Sequence, residues 1–172
     1  TAYYPGQEGG IAIADVLFGD FNPAGRLPFS VPRSVGQIPL YYNKKAPQSH
    51  DYVEMSASPL YPFGYGLSYT SFDYSDLHLS ALMPRSFEIS FKVRNTGKYD
   101  GEEVAQLYLR DEYASVVQPL KQLKHFARFY LKRGEEREVK FILSEEDFSL
   151  VDRNLKKIVE PGTFQIMIGA AS

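Results

Sequence analysis

Apolar and polar side chains alternate along the second half of the chain. Phe87, Ile89, Phe91 and Val93 are separated by single polar residues, and this period of two predicts a strand with one buried face. The same alternation recurs in residues 104–109, 129–131, 139–143 and 164–168. Turn residues separate these segments, and strands at roughly 8–12-residue spacing predict an immunoglobulin-like sandwich. We therefore expect a mostly β fold, with the sandwich formed by residues 70–172.

The first third of the chain differs in composition: it is rich in Pro and Gly and has little periodicity. Its clearest pattern lies in Gly10–Phe18, where apolar residues recur at helical spacing and Gly19 follows in the position of a C-terminal cap. Asn22–Gly25 reads as a turn, and Leu27–Pro32 as an extended stretch whose prolines exclude a central strand. The pattern predicts one short helix followed by irregular chain.

Residues 34–69 show no repeating pattern, and so long a stretch without structure is unusual within one compact domain. We interpret it as a connector lying across a neighbouring surface. Its aromatic residues are expected to anchor it by burial: Tyr41, Tyr42, Tyr52, Tyr61, Phe63, Tyr65 and Tyr69.

Composition narrows the classes of function. The 172 residues carry a net charge of −2, which favours neither nucleic acid nor an anionic membrane. The sequence contains no cysteine, so disulfides and thiolate metal sites are excluded. The absence of both Cys and Trp favours a fibronectin type III kind of sandwich over one with a Cys–Trp–Cys core. Tyr and Phe are abundant, at 13 and 12 residues, which fits a β-rich core.

Several acidic residues are close enough in sequence to be considered as catalytic pairs. Glu102 and Glu103 are adjacent, but they would point to opposite faces of a strand. Glu145, Glu146 and Asp147 fit a short capped turn after Ser144, and Asp51 and Glu54 lie in the connector. The interpretation as solvated charges or caps is favoured for each group.

The three histidines do not have the spacing of metal ligands. His50, His78 and His125 are far apart in the chain and form no H-x-x-x-H pair. We therefore assign no catalytic, cofactor-binding or metal-binding residue to this chain.

Five segments carry a resemblance to a known family. They are residues 5–10, 12–19, 22–28, 32–42 and, most recognisably, Tyr61–Thr70 (YPFGYGLSYT). In this order they resemble the end of the second domain, an α/β sandwich, and the following linker of family 3 glycoside hydrolases of the bacterial β-glucosidase and β-xylosidase branch. Later motifs such as Asn95–Gly97, Gln106–Tyr108 and Pro161-Gly162 are similar to the family's fibronectin-III-like domain. His125 stands where the family usually has Gly, and Arg133 where Pro is common.

The resemblance implies a division into three parts: residues 1–33 as the end of the α/β sandwich domain, 34–69 as the linker and 70–172 as the C-terminal sandwich, with one further strand expected beyond residue 172. It implies that the Asp nucleophile and the Glu acid/base lie outside this chain. The implied parent releases terminal β-linked glucose or xylose from oligosaccharides with retention and needs no organic cofactor. It would be periplasmic or secreted. This chain would pack on its catalytic barrel and α/β sandwich domains, without nucleic-acid or membrane partners.

Two other functions stay open. A non-catalytic carbohydrate-binding module would require exposed, coplanar aromatic residues on one face of the sandwich. A free-standing protein-interaction module is disfavoured by the helix Gly10–Phe18, which would expose its apolar face unless a partner covered it.

Overall fold

A computed structural model of the chain describes residues 2–45 and 51–172; His50 lies outside them. The first part contains one α-helix, α1 (Gly9–Phe18), and a 3₁₀ helix, Val35–Gln37. The strands that follow are β1 (Phe72–Met83), β2 (Ser86–Asn95), β3 (Gly101–Asp111), β4 (Gln122–Leu131), β5 (Glu136–Leu143), β6 (Leu150–Val151), β7 (Lys157–Ile158) and β8 (Phe164–Gly169). The mostly β prediction is confirmed.

The strands form two three-stranded antiparallel sheets that face each other. One has the order β1-β2-β5 and the other β4-β3-β8, while β6 and β7 form a separate two-stranded hairpin. Residues from both inner faces, including Phe91, Phe141 and Leu107, form the hydrophobic core. This arrangement is the predicted sandwich.

Alternation explains why the predicted strands form where they do. Along β2, Ile89, Phe91 and Val93 are buried and their neighbours are more exposed, and β5 alternates in the same way. Burial of one side chain in two fixes the register, because a shift by one residue would turn the apolar set to solvent.

The longest strand, β1, is not predicted by the sequence pattern. Its pairing with β2 changes register between Ser75 and His78, and Asp76 in the bulge has φ +53°. One extra residue there shifts the positions opposite the buried residues of β2 from even numbers, such as Tyr74, to odd ones, such as Leu79, which itself remains 59% exposed. Such a β-bulge interrupts the period of two on which the prediction relies.

The helix and its C-terminal cap agree with the prediction. Gly19 adopts φ +90°, and its N–H donates to the carbonyl of Asp15. The expected exposure of the apolar face is also found: the exposed fractions are 62% for Ile11, 72% for Leu17 and 85% for Phe18. No helix among the described residues has the length and apolar character needed to span a membrane.

The connector is folded against the preceding segment rather than structureless. Residues 27–31 and 60–65 exchange main-chain hydrogen bonds, among them Val31 N–H to the carbonyl of Tyr61 at 2.8 Å. Burial within this chain accounts for only some of the aromatic residues expected to anchor it. Three are half-buried, and four are exposed: Tyr41, Tyr52, Tyr61 and Tyr69. Main-chain pairing, a few polar side chains and the stacked ring pairs Tyr42–Phe63 and Tyr61–Tyr65 hold the described part of the connector.

Candidate functional site

The adjacent carboxylates Glu102 and Glu103 lie on opposite faces of β3, as predicted. Glu102 pairs with Arg128 of β4 on the outer face. Glu103 points between the sheets and is 2% exposed. The two groups therefore do not form one site.

Four of the other acidic candidates have structural partners. Asp147 accepts hydrogen bonds from the N–H and hydroxyl of Ser144, which supports the predicted capped turn. Glu146 pairs with Lys157, and Glu145 with Arg85. Asp51 accepts hydrogen bonds from the hydroxyl of Ser56 and the N–H of Ala57.

The described histidines are also separate. His78 lies in β1, where it pairs with Ser90 of β2. His125 lies with Nε2 3.5 Å from an Asp147 carboxylate oxygen and its ring stacked on Phe141. Over residues 2–45 and 51–172, no group of three His, Cys, Asp or Glu side chains could hold a metal ion.

The most elaborate polar arrangement is a junction where residues 1–69 meet the sandwich. Arg26, from the turn after α1, donates from Nη2 to the Glu103 carboxylate at 2.9 Å, and both side chains are nearly buried. The hydroxyl of Tyr74 in β1 donates to the other oxygen of Glu103 at 3.0 Å. A buried carboxylate is tolerated only when it is paired and hydrogen-bonded, so Glu103 depends on Arg26 from the other part of the chain.

Burial and this carboxylate act together on Tyr74. Desolvation, followed by the charge of Glu103 and its hydrogen bond, raises the pKa of the phenol well above its ordinary value. Tyr74 therefore remains a neutral donor to Glu103 at physiological pH.

Asn22 joins three segments at the same junction. Its amide donates to the carbonyl of Asp100 in the loop before β3 at 2.9 Å. Its carbonyl oxygen accepts from the hydroxyl of Ser68 at 3.0 Å and from the N–H of Tyr69 at 2.8 Å. Gly101 leaves room for this contact, since a Cβ there would lie 2.5 Å from the Asn22 amide nitrogen.

A second contact lies on the outer face of β3, where the motif containing Gly64 crosses the sheet. The buried amide of Gln106 donates to the carbonyls of Gly64 and Ala170, at 3.2 and 2.6 Å, and accepts from the hydroxyl of Tyr108. Gly64 has φ +80°, and a Cβ there would lie 2.2 Å from Gln106 Oε1. Gly64 of the FGYG sequence is therefore required by both conformation and space.

Gln37, which the sequence did not single out, organises the described part of the connector. It is 5% exposed, accepts from the N–H of Arg33 at 2.8 Å and donates to the carbonyls of Ala57 and Ser58. Nothing in the local pattern distinguishes it from an exposed glutamine, because its partners lie about twenty positions later in the chain.

Comparison with known proteins agrees with this organisation. Residues 1–69 match the glycosyl hydrolase family 3 C-terminal domain, and residues 103–172 match the fibronectin type III-like domain. Over 99% of its length, the chain is 47% identical to a periplasmic β-glucosidase of Salmonella typhimurium and 45% identical to a β-xylosidase of Formosa agariphila. It spans about a quarter of each of these relatives, 24% in both cases.

Solved structures give the same result. A β-glucosidase from Erythrobacter marinus superimposes with a TM-score of 0.93 at 45% identity, over 99% of this chain and 23% of that one. A β-glucosidase from Listeria innocua, in complex with glucose, does so with a TM-score of 0.91 at 36% identity, over 99% and 26%. The chain therefore belongs to the family 3 glycoside hydrolases and corresponds to their C-terminal region.

Proposed function

We propose that this chain is the non-catalytic C-terminal region of a longer enzyme that releases terminal β-linked glucose or xylose from oligosaccharides with retention of configuration. Its relatives are β-glucosidases and β-xylosidases of about four times its length. The nucleophile and the acid/base would lie outside residues 1–172, in agreement with the local partners of the acidic groups described above.

The role proposed for the chain is mechanical. Residues 1–33 would complete the α/β sandwich domain, residues 34–69 would link it to the rest, and residues 70–172 would brace the catalytic domains. The junction formed by Asn22, Arg26 and Glu103 carries this proposal, because it fixes the first part on the sandwich while the apolar face of α1 stays uncovered. The uncovered face would pack on the rest of the parent enzyme.

Hydrolysis of p-nitrophenyl β-D-glucopyranoside and β-D-xylopyranoside tests the proposal. The full-length gene product is expected to cleave at least one of these substrates, and the 172-residue chain neither. Activity in the chain alone, or its absence from the full-length protein on both substrates, would refute the assignment.

We further propose a periplasmic or secreted location. The support for this location is the name of the Salmonella relative, which gives that protein as periplasmic. Fractionation of the source cells, with blotting for this chain, is expected to recover it outside the cytoplasm. Recovery with cytoplasmic markers would contradict this location.

A further inference from the structure

The two outer faces of the sandwich differ in chemistry. The outer face of the sheet β1-β2-β5 carries several ion pairs. Lys92 pairs with Asp76 at 2.8 Å and with Glu136 at 3.7 Å, and Lys140 pairs with Glu88 at 3.1 Å. Exposed pairs of this kind contribute little to stability and are typical of a face turned to solvent.

The outer face of the sheet β4-β3-β8 is aromatic and already half covered. On β3, Gln106 and Tyr108 are buried beneath the segment containing Gly64. On β4, Phe126 lies directly opposite Gln106 but remains 67% exposed. The cover provided by residues 1–69 therefore stops one strand short.

Tyr130 continues this uncovered surface toward the junction. It lies on the same face of β4 as Phe126, four residues later, and is 51% exposed. Between them, Arg128 is paired with Glu102, so the face offers no free charge there. The Tyr130 hydroxyl donates to the Asp100 carboxylate at 2.8 Å.

Asp100 connects this surface to α1. Its carbonyl accepts the amide of Asn22, and it borders an open cleft of about 610 Å³ that is also lined by Leu17, Phe18 and Tyr99. Exposed apolar side chains thus recur from α1 through the cleft to Tyr130 and Phe126, with the Arg128–Glu102 pair between the last two.

We infer that the outer face of β4, formed by Phe126, Arg128 and Tyr130, is a second docking surface for the part of the parent polypeptide outside residues 1–172. This inference rests on the proposed function, because a parent four times as long must supply the occupant. The occupant is a protein surface with an apolar contact for the Phe126 ring and polar groups near the Arg128–Glu102 pair. The outer face of β4 adjoins both the contact between residues 63–64 and β3 and the uncovered face of α1. This continuity favours a protein occupant over solvent.

A matched pair of substitutions tests the inference. Phe126→Glu places a charge on the proposed surface, whereas Ile142→Glu places one on the outer face of β5, where Ile142 is 55% exposed. In the 172-residue chain both side chains face solvent, so the two variants should have similar thermal midpoints, close to that of the wild type. In the full-length enzyme, Phe126→Glu should lower the midpoint by several degrees and increase proteolytic release of the C-terminal region, and Ile142→Glu should do neither.

Equal behaviour of the two variants in the full-length enzyme would overturn the inference. So would loss of affinity for cello- or xylo-oligosaccharides in Phe126→Glu without any change in thermal midpoint or proteolysis, because the surface would then bind glycan. The midpoint and proteolysis can be read even in a protein without glycosidase activity. A failure of the proposed reaction is thus separable from a failure of the docking surface.

Discussion

Removing the charge of Arg26 is the sharpest perturbation of the junction. Arg26→Met keeps an apolar stem of similar length but removes the cation that lies 2.9 Å from Glu103. The side chain of Glu103 is 3% exposed, so water cannot replace the lost partner. The carboxylate keeps only the hydrogen bond from Tyr74 among the side-chain contacts described above.

The size of the effect follows from the cost of an unpaired buried charge. Breaking a buried pair by removing one partner costs about 3–5 kcal/mol. Since Tyr74 still donates to Glu103, we expect the lower end, about 3 kcal/mol, or a factor of about 100 in the unfolding equilibrium. Replacing Glu103 by Gln in the same chain removes the unpaired charge but keeps an acceptor for Tyr74. The double variant should recover about 1–2 kcal/mol of the loss.

Urea unfolding of the wild type, both single variants and the double variant measures this coupling directly. The account predicts that Arg26→Met/Glu103→Gln is more stable than Arg26→Met. Two results would refute this reasoning: stability losses of the two single variants that simply add in the double variant, or a loss of less than about 0.5 kcal/mol for Arg26→Met, as surface changes cause. Either result would mean that Glu103 does not depend on Arg26 and that this pair does not hold the junction.

Three further predictions concern single residues. Because the pKa of Tyr74 is raised in the folded state, the stability that this neutral phenol contributes is fully present below the unfolded-state pKa of about 10 and is lost as the pH rises above it. Tyr74→Phe should therefore show a smaller fall in unfolding free energy than the wild type between pH 9 and pH 11. Gly64→Ala should lower stability by more than Gly134→Ala. Both glycines have positive φ, and the left-handed strain of about 1–2 kcal/mol is common to both, but only at Gly64 would the new Cβ collide with Gln106. Urea unfolding measures the difference. Gln37→Ala should speed proteolytic cleavage within residues 51–58, since the buried amide no longer holds that segment, while the urea midpoint of the sandwich stays unchanged.

Each of these has a contrary outcome. An identical fall above pH 9 in wild type and Tyr74→Phe would mean that other groups cause the alkaline loss. Equal destabilisation by the two glycine substitutions would assign the cost to the backbone alone. A cleavage rate in Gln37→Ala equal to that of the control Val35→Ala, whose side chain is 86% exposed, would show that Gln37 does not hold the segment.

The strands of the sandwich could be predicted because their signal is local. In β2 and β5 each buried residue has a more exposed neighbour, so the period of two is visible in the sequence. In β1 the extra residue at Asp76 breaks the period, so the pattern of the sequence does not reveal this strand. The helix is predictable because its apolar spacing and the glycine that follows it indicate the same C-terminal end.

The junction could not be predicted, because its partners are brought together by the fold alone. Arg26 and Glu103 are 77 positions apart, and no pattern around either residue indicates the other. In the sequence, nothing distinguishes Glu103 from an exposed acidic residue, and only the fold places it between the sheets. The same holds for Gln37, whose burial depends on carbonyl groups supplied by residues 57 and 58.

The mass of the polypeptide in its native source tests most directly the claim that this chain is one region of a longer hydrolase. Denaturing mass spectrometry of the protein captured by an antibody against this chain should give a mass about four times the 19.5 kDa of residues 1–172. A mass near 19.5 kDa would contradict this claim. A separate partner would then have to cover the exposed apolar residues of α1 and Phe126.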